Sequence, residues 1–151
     1  MVMKHFLAAM SVILVAAMTH AQLAKPGSAI PAYHSTRPAT SVKLPPILTQ
    51  KQLAEAGMIL PAQTESYKAA ARASATVYQM PCYCYCDRNH QHTSLRSCFE
   101  GTHGANCSTC MQEALYSYRQ SQRGWSAKMI RDGIIRRDFQ MIDLQNVPPI
   151  K

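Results

Sequence analysis

Apolar positions in this chain follow a helical rhythm on both sides of one stretch that has no rhythm at all. The clearest run is Cys107, Cys110, Met111, Ala114, Leu115 and Tyr118, which falls on one side of a 3.6-residue helix. Asn106 is expected to cap that helix, and Gly124 to close it. A further helix follows from Ser126, with Met129, Ile130, Ile134, Met141 and Ile142 as its inward positions. Gly133 is expected to weaken it by about 1 kcal/mol relative to alanine. Trp125 lies between these two helices and is expected to pack as their joint.

Upstream, Leu48-Thr49-Gln50-Lys51-Gln52-Leu53 reads as a helix start. Thr49 and Gln52 can form a capping box, and Leu48 can pack on Leu53. Gly57 ends this short helix, and Pro61 is read as a barrier before the next. An alanine-rich helix is expected from Thr64 to Gln79, with Tyr67, Ala71, Ser74 and Tyr78 inward and Pro81 as its stop. Residues 82–105 are expected to form a loop, anchored by Leu95 and Phe99. A loop of that length in a small domain needs crosslinks. The fold class that follows is all-α: a small domain over residues 48–143, about four helices, with a loop crosslinked by metal or disulfides.

The remaining segments have no helical pattern. Residues 22–47 contain five prolines and read as a disordered or extended linker in which His34 is solvated. Residues 144–151 read as a tail. At the other end, Lys4 and His5 precede a thirteen-residue apolar run, Phe6 to Met18, and then Thr19-His20-Ala21. This is the pattern of a secretory signal peptide over residues 1–21. The run is shorter than the roughly 20 residues needed to span a bilayer, so membrane attachment is expected only if the segment is retained. A periplasmic or secreted chain is expected after cleavage. The formal charge of +8 then falls to +7, since Lys4 is the one charged residue lost. Export and the scattering of the arginines argue against a nucleic-acid partner.

The chemistry is concentrated in the loop. All six cysteines (Cys82, Cys84, Cys86, Cys98, Cys107 and Cys110) and three of the six histidines (His90, His92 and His103) lie within residues 81–110. Thiolate and imidazole are ligands for zinc and copper, whereas the two acids nearby, Asp87 and Glu100, are too few for a hard cation. One closed zinc site uses four donors, so nine candidates exceed one site. Cys107 and Cys110 share a face of a helix's first turn, where the dipole favours thiolate. Cys82, Cys84 and Cys86 alternate and would lie about 6.6–7 Å apart in an extended chain. One ion can take two of them only if the backbone curls.

Three readings stay open on the residues alone. Three disulfides would staple an exported module, with fifteen possible connectivities. A transition-metal ion, copper or zinc, would use Cys82, Cys84, Cys86, His92, Cys98, His103, Cys107 and Cys110, with His90 a weaker candidate. Thiol–disulfide or peroxide-type redox chemistry would use Cys107 or one of Cys82, Cys84 and Cys86 as nucleophile, with Cys107 and Cys110 as the redox pair. Partners would then be the metal ion and a metal donor, acceptor or redox protein. The Cys107-Ser108-Thr109-Cys110 pair is not followed by histidine, which excludes haem attachment. The chain has no phosphate loop, nucleotide fingerprint or paired carboxylates, so no enzyme class is indicated.

The run Pro81-Cys82-Tyr83-Cys84-Tyr85-Cys86, with His92, Cys98-Phe99, His103-Gly104 and Cys107-x-x-Cys110, resembles the PCYCGC-motif family of exported bacterial proteins, also described as CYCXC-type (seleno)proteins. The likeness spans roughly residues 64–138. Tyr85 stands where the name-giving motif has glycine, and the lipid-attachment cysteine of many relatives is missing. The family has no settled function. The selenocysteine carried by some members implies a reactive or metal-ligating role for at least one of Cys82, Cys84 and Cys86.

Overall fold

In a computed structural model, residues 29–151 are described, and the predicted signal segment lies outside them. Among the described residues there are six α-helices and no strand element. They are α1 (Gln50–Glu55), α2 (Pro61–Arg72), α3 (Ser74–Val77), α4 (Cys86–Asn89), α5 (Ser108–Gln122) and α6 (Ala127–Ile135). The small all-α domain expected from the pattern is therefore what forms. No described helix is long and apolar enough to cross a membrane.

The capping box of α1 is made as expected. Gln52 N donates to Thr49 Oγ1 at 3.3 Å, and Thr49 N donates to Gln52 Oε1 at 2.9 Å. The next helix departs from expectation. It begins at Pro61 itself, because a proline at the first helical position forfeits no bond. It also breaks at Ala73, so that α3 is a separate turn. The buried side is Ser66, Tyr67, Ala69, Ala70, Ala73 and Val77, while Ala71 is exposed. In a run holding Ala69, Ala70, Ala71 and Ala73, small side chains give little contrast between faces, and packing against α5 decides the phase.

The central helix α5 has Cys107, not Asn106, as its N-cap. Asn106 instead donates to Thr102 O at 3.0 Å. Cys110, Ala114 and Leu115 are buried as predicted, but the buried face is wider and takes in Glu113, Tyr116, Ser117 and Gln120. Met111 and Tyr118 lie at its half-buried margins. Ser126 caps α6 by accepting from Met129 N at 3.3 Å. Ile130, Ile134 and Ile142 are buried, whereas Met129 and Met141 are exposed, because the helix ends at Ile135 and a 3-10 turn, Asp138–Met141, redirects the chain.

Gly133 is not the weak point that its helix propensity suggests. A Cβ there would intrude on the hydroxyl of Tyr116, a ring that is itself buried. Gly133→Ala is therefore expected to lower stability by about 1–3 kcal/mol from overpacking, against the gain of about 1 kcal/mol that propensity alone would give. Urea unfolding of the two chains gives the sign directly.

Both flanks of the domain are tied to it. His34, expected to be solvated, is buried; it stacks on Tyr78 at 3.8 Å between ring centroids and bonds to Thr93 Oγ1 at 3.2 Å. Ala32 N donates to Asp87 Oδ2 at 3.0 Å. In the tail, Ile150 N donates to Glu65 Oε2 at 2.6 Å, and Val147 is buried.

Candidate metal centre

Three chain segments deliver the donors. The first is the turn after α3. α3 ends at Val77, ahead of Pro81, Met80 O accepts from Leu95 N at 2.9 Å, and Tyr85 N donates back to Cys82 O at 3.0 Å. This closes a turn in which Tyr85 adopts φ +56°, ψ +31°. The left-handed conformation is what glycine takes freely, and a tyrosine there costs about 1–2 kcal/mol. The ring recovers contacts: Tyr83 lies edge-on at 5.7 Å and the Arg88 guanidinium sits 4.1 Å over its centroid. The turn supplies the curl that an extended Cys82-x-Cys84 lacks, and their sulfurs come to 3.4 Å.

The second segment is the stretch expected to be loop, which is built of α4 and two 3-10 turns, Leu95–Phe99 and His103–Asn106. Leu95 and Phe99 are its buried anchors, as expected. Gly104 lets the two 3-10 turns approach: a Cβ there would lie 2.9 Å from Cys98 O and 3.0 Å from the Phe99 ring. The third segment is the start of α5, which supplies Cys107 and Cys110.

These segments converge. Cys82 Sγ lies 3.4 Å from Cys110 Sγ, and Cys110 Sγ lies 3.6 Å from Cys84 Sγ. Cys86 Sγ lies 3.3 Å from Cys98 Sγ, and His92 Nδ1 lies 3.1 Å from Cys86 Sγ and 3.3 Å from Cys98 Sγ. His103 Nε2 lies 3.6 Å from Cys84 Sγ. Three overlapping sets of four have donor atoms all within 4.8 Å of one another: Cys82, Cys84, Cys86 and Cys98; Cys84, Cys98, His103 and Cys110; Cys86, His92, Cys98 and His103. Cys98 belongs to every set. Cys107 belongs to none, and stands at the half-exposed edge of the cluster, where it perturbs the thiols of Cys84 and Cys110. His90 is exposed, with its ring 5.0 Å from that of His103 and 5.8 Å from that of His92.

All six cysteines are free thiols. Each sulfur named above has more than one sulfur or imidazole neighbour, whereas a disulfide framework would sort them into isolated pairs at about 2 Å. A tetrahedral ion with sulfur at about 2.3 Å and nitrogen at about 2.0–2.1 Å requires edges of about 3.6–3.8 Å. The observed separations are within a few tenths of an ångström of that, so the donor set fits a soft or borderline ion.

The thiols share their protons unevenly. Cys84 is pulled down, first by its bond with Cys107; Cys110 is pulled to about 5, also first by Cys107; Cys86 is pulled to about 6, first by Cys82. Burial holds Cys82 up, and hydrogen bonding to Cys110 holds Cys98 and Cys107 up. Some sulfurs are thus thiolates that accept from neighbouring thiols. His92 is raised by the Cys86 thiolate; for His103 burial is the largest single influence and pulls down, but the bond to Cys84 and the charges on Cys110, Cys84 and Cys86 together raise it. Of the two helix-start thiols expected to favour thiolate, Cys110 is lowered, first by its bond with Cys107, and Cys107 is not.

Glu113 is the residue that the sequence pattern passed over. It is fully buried, accepts from Tyr83 N at 2.8 Å through Oε1, and its Oε2 has no hydrogen-bond partner among the described residues. Burial holds its carboxyl well above the ordinary range, which favours its protonated form beside the sulfurs. A lone carboxyl three residues after Cys110, on the same helix face, was the available signal. Glu113→Ala is expected to weaken metal binding by about 10–100-fold, because it frees the Cys82–Tyr83–Cys84 turn, whereas Glu113→Gln keeps the acceptor and most of the affinity. Competition with a chromophoric chelator ranks the two variants.

No curated protein and no solved structure matches the chain. One family model does, over residues 57–140, a span that contains α2 to α6 and every donor described above. The chain belongs to that family, the proteins of unknown function with a PCYCGC motif.

Proposed function

We propose that this chain is an exported protein that binds a soft or borderline transition-metal ion, copper or zinc, and serves in its handling, delivery or detoxification. The observation that carries the reading is convergence. Donors that lie up to 28 residues apart, Cys82 and Cys110, meet at 3.4 Å in a largely buried pocket of sulfur and imidazole. A buried thiolate cluster without a cation would concentrate negative charge where desolvation is unfavourable. A bound cation resolves that. Imidazoles at the half-exposed side, His92 and His103, give an ion a first landing point before the sulfurs. Location in the periplasm or outside the cell rests on the predicted signal segment.

The redox reading is less well supported by the same sulfurs. A Cys-x-x-Cys exchange pair needs a low outer thiol as nucleophile and a protected inner one. Here the accessible Cys107 is held up and the buried Cys110 is held down. Metal analysis of the reduced mature chain after anaerobic incubation with Zn(II) or Cu(I) and gel filtration tests the proposal. At least one ion per chain is expected to co-elute. A stoichiometry near zero for both metals would refute it.

A further inference from the structure

The donors do not form one shell. They divide into two closed triangles. In the first, Cys82, Cys84 and Cys110 stand 3.4, 3.4 and 3.6 Å apart. In the second, Cys86, Cys98 and His92 stand 3.3, 3.1 and 3.3 Å apart. Each triangle has the size of one face of a tetrahedron around an ion. Each also has a candidate for the fourth corner. His103 lies within 4.8 Å of all three donors of the second triangle and, at 3.6 Å from Cys84, also stands at the seam with the first. Cys107, the N-cap of α5, stands one turn before Cys110 of the first, at its half-exposed side.

The geometry points to a two-ion centre with non-equivalent sites, an all-thiolate site on Cys82, Cys84 and Cys110 and a mixed thiolate–imidazole site on Cys86, Cys98 and His92. This inference rests on the metal-binding reading above and goes beyond it in stoichiometry and selectivity. One tetrahedral ion uses four donors and would leave the other sulfurs crowded and uncompensated. Two ions account for all eight. The triangles also abut, since the donor atoms of Cys82, Cys84, Cys86 and Cys98 lie within 4.8 Å of one another. A thiolate at that seam can serve either ion, which gives a path for transfer between sites. The composition sets preference. The all-sulfur site favours Cu(I), the softer ion, and the site with imidazole suits Zn(II).

The experiment is an anaerobic titration of the reduced chain with Zn(II), read by native mass spectrometry, in the wild type and in Cys84→Ser and His92→Asn. Both positions are half-buried, so the substitutions spare the core. The wild type is expected to take two ions, and each variant is expected to keep one. Adding one equivalent of Cu(I) to each zinc-loaded chain is expected to displace zinc from wild type and from His92→Asn, but far less from Cys84→Ser. A wild type that stops at one ion, or that fills three or more in one cooperative step, overturns the two-site assignment while leaving metal binding intact. Loss of both ions together from either variant overturns it as well. No binding at all would instead refute the metal reading. Circular dichroism monitors folding, and a variant that loses its helices is replaced by Cys110→Ser for the all-thiolate site or Cys86→Ser for the mixed site, read against the same outcomes.

Discussion

Cys98→Ser is expected to reduce zinc affinity by more than about 100-fold, a larger loss than removing an outer-shell partner produces. Cys98 is buried, sits 3.3 Å from both Cys86 Sγ and His92 Nδ1, and belongs to all three of the four-donor sets. Serine keeps nearly the same shape but offers a hydroxyl, which remains protonated and is a poor ligand for a soft ion. The loss should therefore appear in affinity with little change in the apo fold. Cys107→Ser is the matched control. Cys107 lies outside the compact sets and is half-exposed, so its loss is expected to cost clearly less. Competition titrations against chelators of graded affinity measure both. Equal effects would mean that the sulfurs are not ranked by their place in the cluster.

Acid is expected to empty the centre between about pH 7 and pH 5. The sign follows from which form binds. Metal takes thiolate and neutral imidazole, and protons compete for both. Cys86 and Cys110 are held at about 6 and about 5, so they remain thiolates at neutrality and are lost as ligands when pH falls through those values. His92 is raised above its ordinary value, so it becomes imidazolium earlier in the same descent. On the alkaline side the sign is the same for a different reason. Cys82, Cys98 and Cys107 are held up as thiols, so an ion must displace their protons, and affinity should climb further as pH rises. Loading at neutral pH is expected to release roughly three protons per chain, one for each of these thiols. Isothermal calorimetry in buffers of different ionisation enthalpy counts them. Binding that is independent of pH from 5 to 8 would contradict the thiolate origin of the site.

Much of this architecture was legible from residue pattern. The helix through Cys110, Ala114 and Leu115 declared itself because large and polar residues alternate at helical spacing. The cap at Ser126 and the capping box at Thr49 did so because those side chains have specific partners. The alanine-rich helix did not, since Ala70 and Ala71 look alike to a pattern while only Ala70 is buried. The eight donors were legible from their chemistry and density. Their grouping was not, because it depends on a left-handed turn at Tyr85, where a side chain other than glycine gives no local warning. Glu113 was hidden for a related reason. A single carboxyl on a helix usually faces water, and only the approach of the Tyr83 amide turns it inward. His34 looks like linker in sequence because its partners are remote: it stacks on Tyr78, and Thr93 is 59 residues away along the chain.

X-ray absorption at the zinc edge of the anaerobically loaded chain addresses the convergence of thiols most directly. With both sites filled by zinc, the account predicts a first shell dominated by sulfur at about 2.3 Å, with a smaller nitrogen contribution at about 2.0–2.1 Å from imidazole. A shell of oxygen and nitrogen alone, with the six cysteines recovered as three disulfides, would show that the sulfurs of the turn and of α5 do not share an ion.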